Sequence, residues 1–251
     1  MEKPSVYVMP WTPGTKRRDA PADRTGPQTA AARAWRTWGR SGLPPTRSRT
    51  RSLVPAASHT GGQTTFDLDR FVADCHAALA ERDDHRAVRE VVARAVADPA
   101  GVLAGLGEPR RAQVQRLHHA PDLTILNVVS GAGMTVMPHN HAMWAIIGVY
   151  TGCEDNIFGR RIETERGPRI EAAGARALRV RDCAPLGRDI IHSVTNPIPR
   201  LTGAIHVYGG DFFKAARSEW DPETLCEERY SVEKAMRLFE RSNTALAAAG
   251  R

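Results

Sequence analysis

The sequence predicts a mainly β protein: a small all-β sandwich or barrel, flanked by helices on both sides. Three observations predict it. From about residue 113 to 213, β-branched segments alternate with turn signals: "APD", "SGAG", "YTG", "ERGPR", "EAAGA", "APLGRD", "NPIPR" and "GGD". That rhythm of short strands suits a sandwich or barrel. Before it, Phe66, Phe71, Val72, Cys75 and Leu79, then Val88, Val91, Val92, Ala95 and Val96, fall near helical spacing. After it, "SVEKAMRLFERSNTALAAAG" reads as a single amphipathic helix.

The elements follow in order. Residues 1–65 are rich in Arg, Pro, Thr, Ala and Gly and show no apolar period, so they are expected to form a disordered basic leader. A transit peptide is also Arg-rich and acid-poor, and a basic tail can touch nucleic acid. The first helix begins after Thr65 or Asp67 as cap, and Pro99 is expected to stop the second, with helices confined to residues 66–106. Cys75, His76 and His85 read as packing or surface residues. The β-barrel is expected over residues 113–213 and the C-terminal helix over 231–249. Ser231 is its expected cap, and Gly250 lies just past its end. Residues 66–251 then form a single domain.

Charge narrows the function. The formal net charge is +7, but residues 1–65 hold 11 Lys+Arg against 3 Asp+Glu, leaving 24 against 25 for the rest. The leader is therefore at +8 and the body at −1, which gives no support for nucleic-acid binding by the folded domain. No apolar run approaches the roughly 18 residues of a membrane span. No apolar core of a secretory signal stands at the N-terminus, so a cytoplasmic protein is expected. The four cysteines form no C-x-x-C pair and are read as reduced thiols.

The chemistry is carried by histidines. In "PHNHAMWAIIGVYTG", His139 and His141 stand two apart, and Pro138 favours an extended approach. Residues i and i+2 of a strand share a face, so two imidazoles there can hold one metal. Two solvated surface histidines are the plain alternative. Gly133 precedes His139 by six positions and Gly152 follows the strand. Some fifty residues on, "PLGRDIIHSVTN" carries Pro185, Gly187, His192 and Asn196. The whole resembles the two motifs of the cupin superfamily, G-x5-H-x-H with a later glycine and P-x-G followed by H-x3-N. The resemblance covers roughly residues 123–213. It implies a cupin-type double-stranded β-helix (jelly-roll) barrel with His139, His141 and His192 as metal ligands.

Two features depart from that pattern. The glutamate usual after H-x-H is absent from "AMWAII", and Glu154, further on, reads as a turn residue and not a ligand. Four residues, "RDII", stand between Gly187 and His192 where the motif has two. Three neutral imidazoles leave a divalent ion its full charge, which favours anionic ligands such as thiolate. Three protein ligands with open positions is a catalytic arrangement.

"AIHVYGGDFF" then puts Ala204, His206 and Tyr208 on one strand face. A hydrogen-bonded core pair is the plain reading of His206 and Tyr208. The stretch is also similar to the S-x-H-x-Y segment of the thiol dioxygenases, the cysteine dioxygenase branch of the cupins, with Ala204 in place of the serine. That resemblance implies His206 and Tyr208 as catalytic residues beside Fe(II), although other divalent first-row metals are compatible. Ile146 stands where some members carry a cysteine crosslinked to the tyrosine, so no crosslink is expected. The family holds its substrate carboxylate with an upstream arginine, for which Arg116 is the nearest candidate and Arg160 and Arg161 are alternatives. His118 and His119 receive no role. The resemblance implies O2 and a small thiol, such as cysteine or 3-mercaptopropionate, as substrates and a sulfinate as product. Two other readings stay open: a cupin metalloenzyme on a non-thiol substrate, by ring-cleaving dioxygenation or isomerisation, and a non-catalytic small-ligand-binding cupin. Barrel edges in cupins often pair, so a homodimer is compatible with the sequence.

Overall fold

The computed structural model describes residues 65–81, 85–165 and 167–249. The leader expected over residues 1–65 lies outside them up to residue 64, as does Gly250. The elements run α1 (Leu68–Glu81), α2 (His85–Ala97), α3 (Pro99–Leu106), β1 (Gln113–His119), β2 (Thr124–Ser130), β3 (Thr135–His139), β4 (Ala145–Thr151) and β5 (Cys153–Ile162). They continue with β6 (Arg169–Arg179), β7 (Cys183–Leu186), β8 (Ile191–Thr195), β9 (Thr202–Tyr208), β10 (Ser218–Trp220), β11 (Glu227–Arg229) and α4 (Val232–Ala249). No helix among the described residues is long and apolar enough to cross a membrane.

The strands form two antiparallel sheets, β1-β2-β9-β4-β7 and β11-β10-β3-β8-β5-β6. Between β3 and β9 the chain changes sheet at every step except the β5–β6 hairpin. That alternation is the winding of a double-stranded β-helix, with the two inner faces meeting in a shared core. Leu126, Ala145, Ile147, Ala184, Ala204 and Tyr208 of the first sheet pack there with Leu178 and Phe158 of the second. β4 and β9 are buried on both faces, because the first sheet's outer face is covered by the N-terminal helices. Ile125, Ile146, Ile205 and Val207 meet Val88, Val92 and Val96 of α2. Both faces being dry, these strands read as continuous apolar runs.

Local signals explain the element ends. The Asp67 carboxylate accepts from the Arg70 amide at 3.0 Å, so Asp67 caps α1. Ser231 Oγ accepts from Lys234 N at 3.1 Å and caps α4. The second helix ends just before Pro99 as expected, and a third, short helix follows it. α2 stops at Ala97, Asp98 accepts from Gly101 N at 3.1 Å, and Pro99 is the first residue of α3. Proline suits that position because the first turn has no use for its missing N–H. Gly152 adopts φ +84°, which the β4–β5 turn requires, and a Cβ there would lie 2.1 Å from Thr202 Oγ1. Asn196 is a structural clamp: its amide donates to the carbonyls of Ser130, Gly131 and Arg200 at 3.1, 2.9 and 2.8 Å. Two short strands, β10 and β11, extend the second sheet beyond the expected limit of residue 213. All four cysteines are free, and Cys75 is a buried packing residue of α1.

Candidate metal centre

β3 and β8 run antiparallel, with His139 directly opposite His192. Direct partners share a face and have neighbouring Cβ atoms, so the two imidazoles are side by side. His141 is not on the strand, which ends at His139. Asn140 N donates to Ser218 O at 3.1 Å, and Asn140 Oδ1 accepts from Ser218 N at 2.9 Å. Ala142 then takes φ +57°. That pinned bend still turns His141 towards the other two. The extra residues before His192 are absorbed in a turn closed by Ile190 N to Gly187 O at 3.2 Å.

One ring nitrogen from each of His139, His141 and His192 lies within 4.8 Å of the others, and all three residues are buried. Among the described residues this is the one such cluster of three or more His, Cys, Asp or Glu. His139 Nδ1 lies 2.9 Å from the Met137 carbonyl and His192 Nδ1 lies 2.8 Å from Asn156 Oδ1. Each acceptor holds the proton on Nδ1 and leaves the Nε2 lone pair free to coordinate. His192 Nε2 faces His141 Nε2 at 3.4 Å, and His141 Nδ1 is buried without a hydrogen-bond partner. Burial pushes His139 down to about 4. It pushes His141 and His192 well below the usual histidine range, helped in both by a neighbouring imidazole. Neutral rings with convergent lone pairs are the form a metal needs. The donor set therefore fits a first-row divalent ion.

Next to the triad, Tyr208 lies edge-on to His141, ring centroids 5.1 Å apart. Its hydroxyl is 3.1 Å from His206 Nδ1. Burial raises the Tyr208 phenol well above its ordinary value. His206 Nε2 in turn lies 3.8 Å from Glu154 Oε1. Glu154 is not a turn residue: Cys153 opens β5 directly after the Gly152 turn, so Glu154 is inside the strand and only 1% exposed. It shares the inner face with Asn156 and Phe158. Glu154 is not in the three-ligand cluster. At 3.8 Å the His206–Glu154 contact is too long for a direct hydrogen bond, and both His206 Nε2 and Glu154 Oε2 lack partners. A carboxylate there favours the proton on Nε2, so that Nδ1 accepts from the Tyr208 hydroxyl.

The arginine candidates separate. Arg116 is the register partner of Leu126, which is itself paired with His206, so it sits in that row of the sheet's inner face. It lies on the edge strand, two strands from His206. Arg160 and Arg161 extend to the surface and pair with Glu171 and Glu227. His118 and His119 lie away from the triad, against His76 and Asp211. Arg217 is the arginine that sequence reading missed. It is 8% exposed and packs over the rings of Phe212 and Tyr230 at 3.8 and 4.1 Å. Tyr230 lies 5.9 Å from His139 and Phe212 lies 4.3 Å from Tyr208. Arg217 lies in the aperiodic segment between β9 and β10, where no pattern marks it. The placement of Glu154, Asn156 and Phe158 at alternate positions just after the Gly152 turn was the signal for Glu154.

No protein-family model matches the chain, and no curated protein sequence matches it. Solved structures similar to it include a double-stranded β-helix protein from Klebsiella pneumoniae, at 12% identity and TM-score 0.34, covering 49% of this chain and 90% of that one. A second is an RmlC-like cupin family protein from Methanocaldococcus jannaschii, at 11% identity and TM-score 0.32, covering 43% and 88%. An oxalate oxidase is similar at 15% identity and TM-score 0.31, covering 41% of this chain and 53% of that one.

Proposed function

We propose that the protein is a mononuclear non-haem iron dioxygenase of the thiol dioxygenase type. It converts a small thiol and O2 into a sulfinate, both oxygen atoms passing to sulfur. The observation that carries this reading is a buried, carboxylate-free cluster of three neutral imidazoles with the Tyr208–His206 pair against it. Iron(II), when bound, supplies the redox chemistry by which dioxygen is reduced and sulfur oxidised. His139, His141 and His192 hold the ion, and because none brings a negative charge the site favours an anionic thiolate. Tyr208, held by His206, sets its phenol ring against His141 of the triad.

The test is metal content followed by oxygen uptake on adding cysteine, cysteamine and 3-mercaptopropionate. About one iron per chain is expected, with thiol-dependent uptake and a sulfinate product. His139→Ala and His192→Ala are expected to abolish both, and full metal retention in both variants would sink the site. A second reading, a metalloenzyme acting on a non-thiol substrate, is favoured by Ala204 and by the Glu154 that faces His206 instead of a serine. Bound metal without uptake on any thiol would select it.

A further inference from the structure

Two further imidazoles face each other outside the barrel. His76 Nε2 of α1 and His118 Nε2 of β1 are 3.1 Å apart, with ring centroids at 5.1 Å and planes at 86°. Within the triad, His141 Nε2 and His192 Nε2 are 3.4 Å apart, with centroids at 5.0 Å and planes at 76°. The outer pair thus repeats the geometry of the inner one. A β-bulge places His118 there. Arg116 is opposite Leu126, but His118 is opposite Ile125, so Leu117 is the extra residue. Leu126 packs in the barrel core, whereas Ile125 packs under the N-terminal helices. Direct partners share a face, so the bulge turns His118 from the core towards α1. Cys75, next to His76, is fully buried and fixes that turn of α1. Behind His76, Asp122 Oδ2 lies 3.8 Å from Nδ1. A carboxylate on that side favours the proton on Nδ1 and leaves the Nε2 lone pair facing His118. Burial, helped by His76, holds the His118 pKa below the ordinary histidine value.

We propose that His76 and His118 form a second metal site, taking a zinc-class divalent ion that ties α1 to β1. Two nitrogens about 2.0–2.1 Å from one ion, at the roughly 100–109° of a tetrahedral site, stand about 3.1–3.4 Å apart. The 3.1 Å separation of the pair is that bite, so helix and strand need not move to close on an ion. Without an ion, His118 Nε2 donates to His76 Nε2. With one, the His118 proton passes to Nδ1 and both Nε2 atoms coordinate, so neither ring changes charge. A cleft of about 570 Å³ opens at His76 beside Asp122, Trp144 and Gly210, which leaves room for water in the remaining positions. Two protein ligands make the site open and exchangeable, unlike a closed four-ligand one. β1 is the edge strand of its sheet, and the ion fastens it to the helical layer. The inference does not rest on the triad being a metal centre.

The experiment uses the full chain freed of metal with a chelator, titrated with zinc(II) by calorimetry at neutral pH and melted with and without zinc. The wild type is expected to take up about two zinc ions, one at each histidine cluster. His76→Gln and His118→Gln are each expected to lose about one of them, while His85→Gln on α2, the control, keeps both. In the His139→Ala chain, zinc is expected to raise the melting temperature by about 2 °C or more, and adding His118→Gln removes that rise. Unchanged zinc uptake in either His76→Gln or His118→Gln overturns the site, as does a loss that His85→Gln reproduces. Where a variant does not fold, the wild type is labelled with diethylpyrocarbonate and mapped by mass. Zinc is then expected to slow modification of His76 and His118 about fivefold or more relative to His85, and equal rates overturn the assignment. A His118-dependent zinc ion without a His139-dependent one supports this site and defeats the triad as a metal centre.

Discussion

Glu154 and His206 occupy facing sheets and meet inside the barrel at 3.8 Å. The serine position of the related strand pattern is Ala204, so the outer end of the Tyr208–His206 pair is not supplied from its own strand. From the facing sheet, β5 brings the Glu154 carboxylate to 3.8 Å from it. Replacing that charge without changing volume isolates its effect. Glu154→Gln is expected to leave the metal content unchanged and to move the melting temperature little. Turnover should fall about tenfold or more, because an amide no longer fixes the His206 proton on Nε2 and Tyr208 loses its oriented acceptor. Initial rates on metal-matched samples check it, and an unchanged rate would reduce Glu154 to a packing residue.

The elements that bring these side chains together depend on close approach between layers. α2 sits directly on β4 at Gly148, where a Cβ would lie 2.6 Å from Val92 Cγ1 and 2.8 Å from Val96 Cγ1. Both valines are buried and, being β-branched, have little rotamer freedom to yield. Gly148→Ala is therefore expected to destabilise the fold by about 1–3 kcal/mol, as overpacking does. Thermal unfolding is the measurement. Gly174→Ala on β6 is the control, since its Cβ meets nothing closer than 4.0 Å. The helical period around Val92 and Val96 is legible in the sequence. That this helix needs a glycine opposite it is not, because the contact belongs to the packing of α2 on β4, some fifty residues apart.

For the whole molecule, the triad links folding to pH. An unfolded histidine titrates near 6.5. In the folded apo-protein, burial holds His139 down to about 4 and the other two well below the usual range. Between those limits the unfolded chain takes up protons that the folded one does not. Stability is therefore fully present above about pH 6.5 and is lost as pH falls towards 4. The carboxylates held low, at Asp211, Asp221 and Glu227, contribute only further down. Melting temperatures of the metal-free protein between pH 7 and 4 are expected to fall along that window. His139→Ala is expected to flatten the slope, and an identical slope would show that the triad is not what titrates.

Much of this was legible along the chain. The strand rhythm, the helix caps at Asp67 and Ser231, the clustering of basic residues in residues 1–65 and the paired spacing of His139 and His141 are local properties. A period of two, a capping hydroxyl or a charge run is set by residues that are near neighbours in sequence. The tertiary structure decided what meets what. His192 comes opposite His139 through the β3–β8 register. Glu154 reaches His206 across the barrel only because β5 and β9 belong to different sheets that close on one core. Arg217 comes near the triad from a segment with no period at all, packed on two aromatic rings. Alternation along a strand is enforced by backbone geometry, so the sequence alone determines it. Convergence across a barrel is enforced by sheet closure and register, so only the folded chain can determine it.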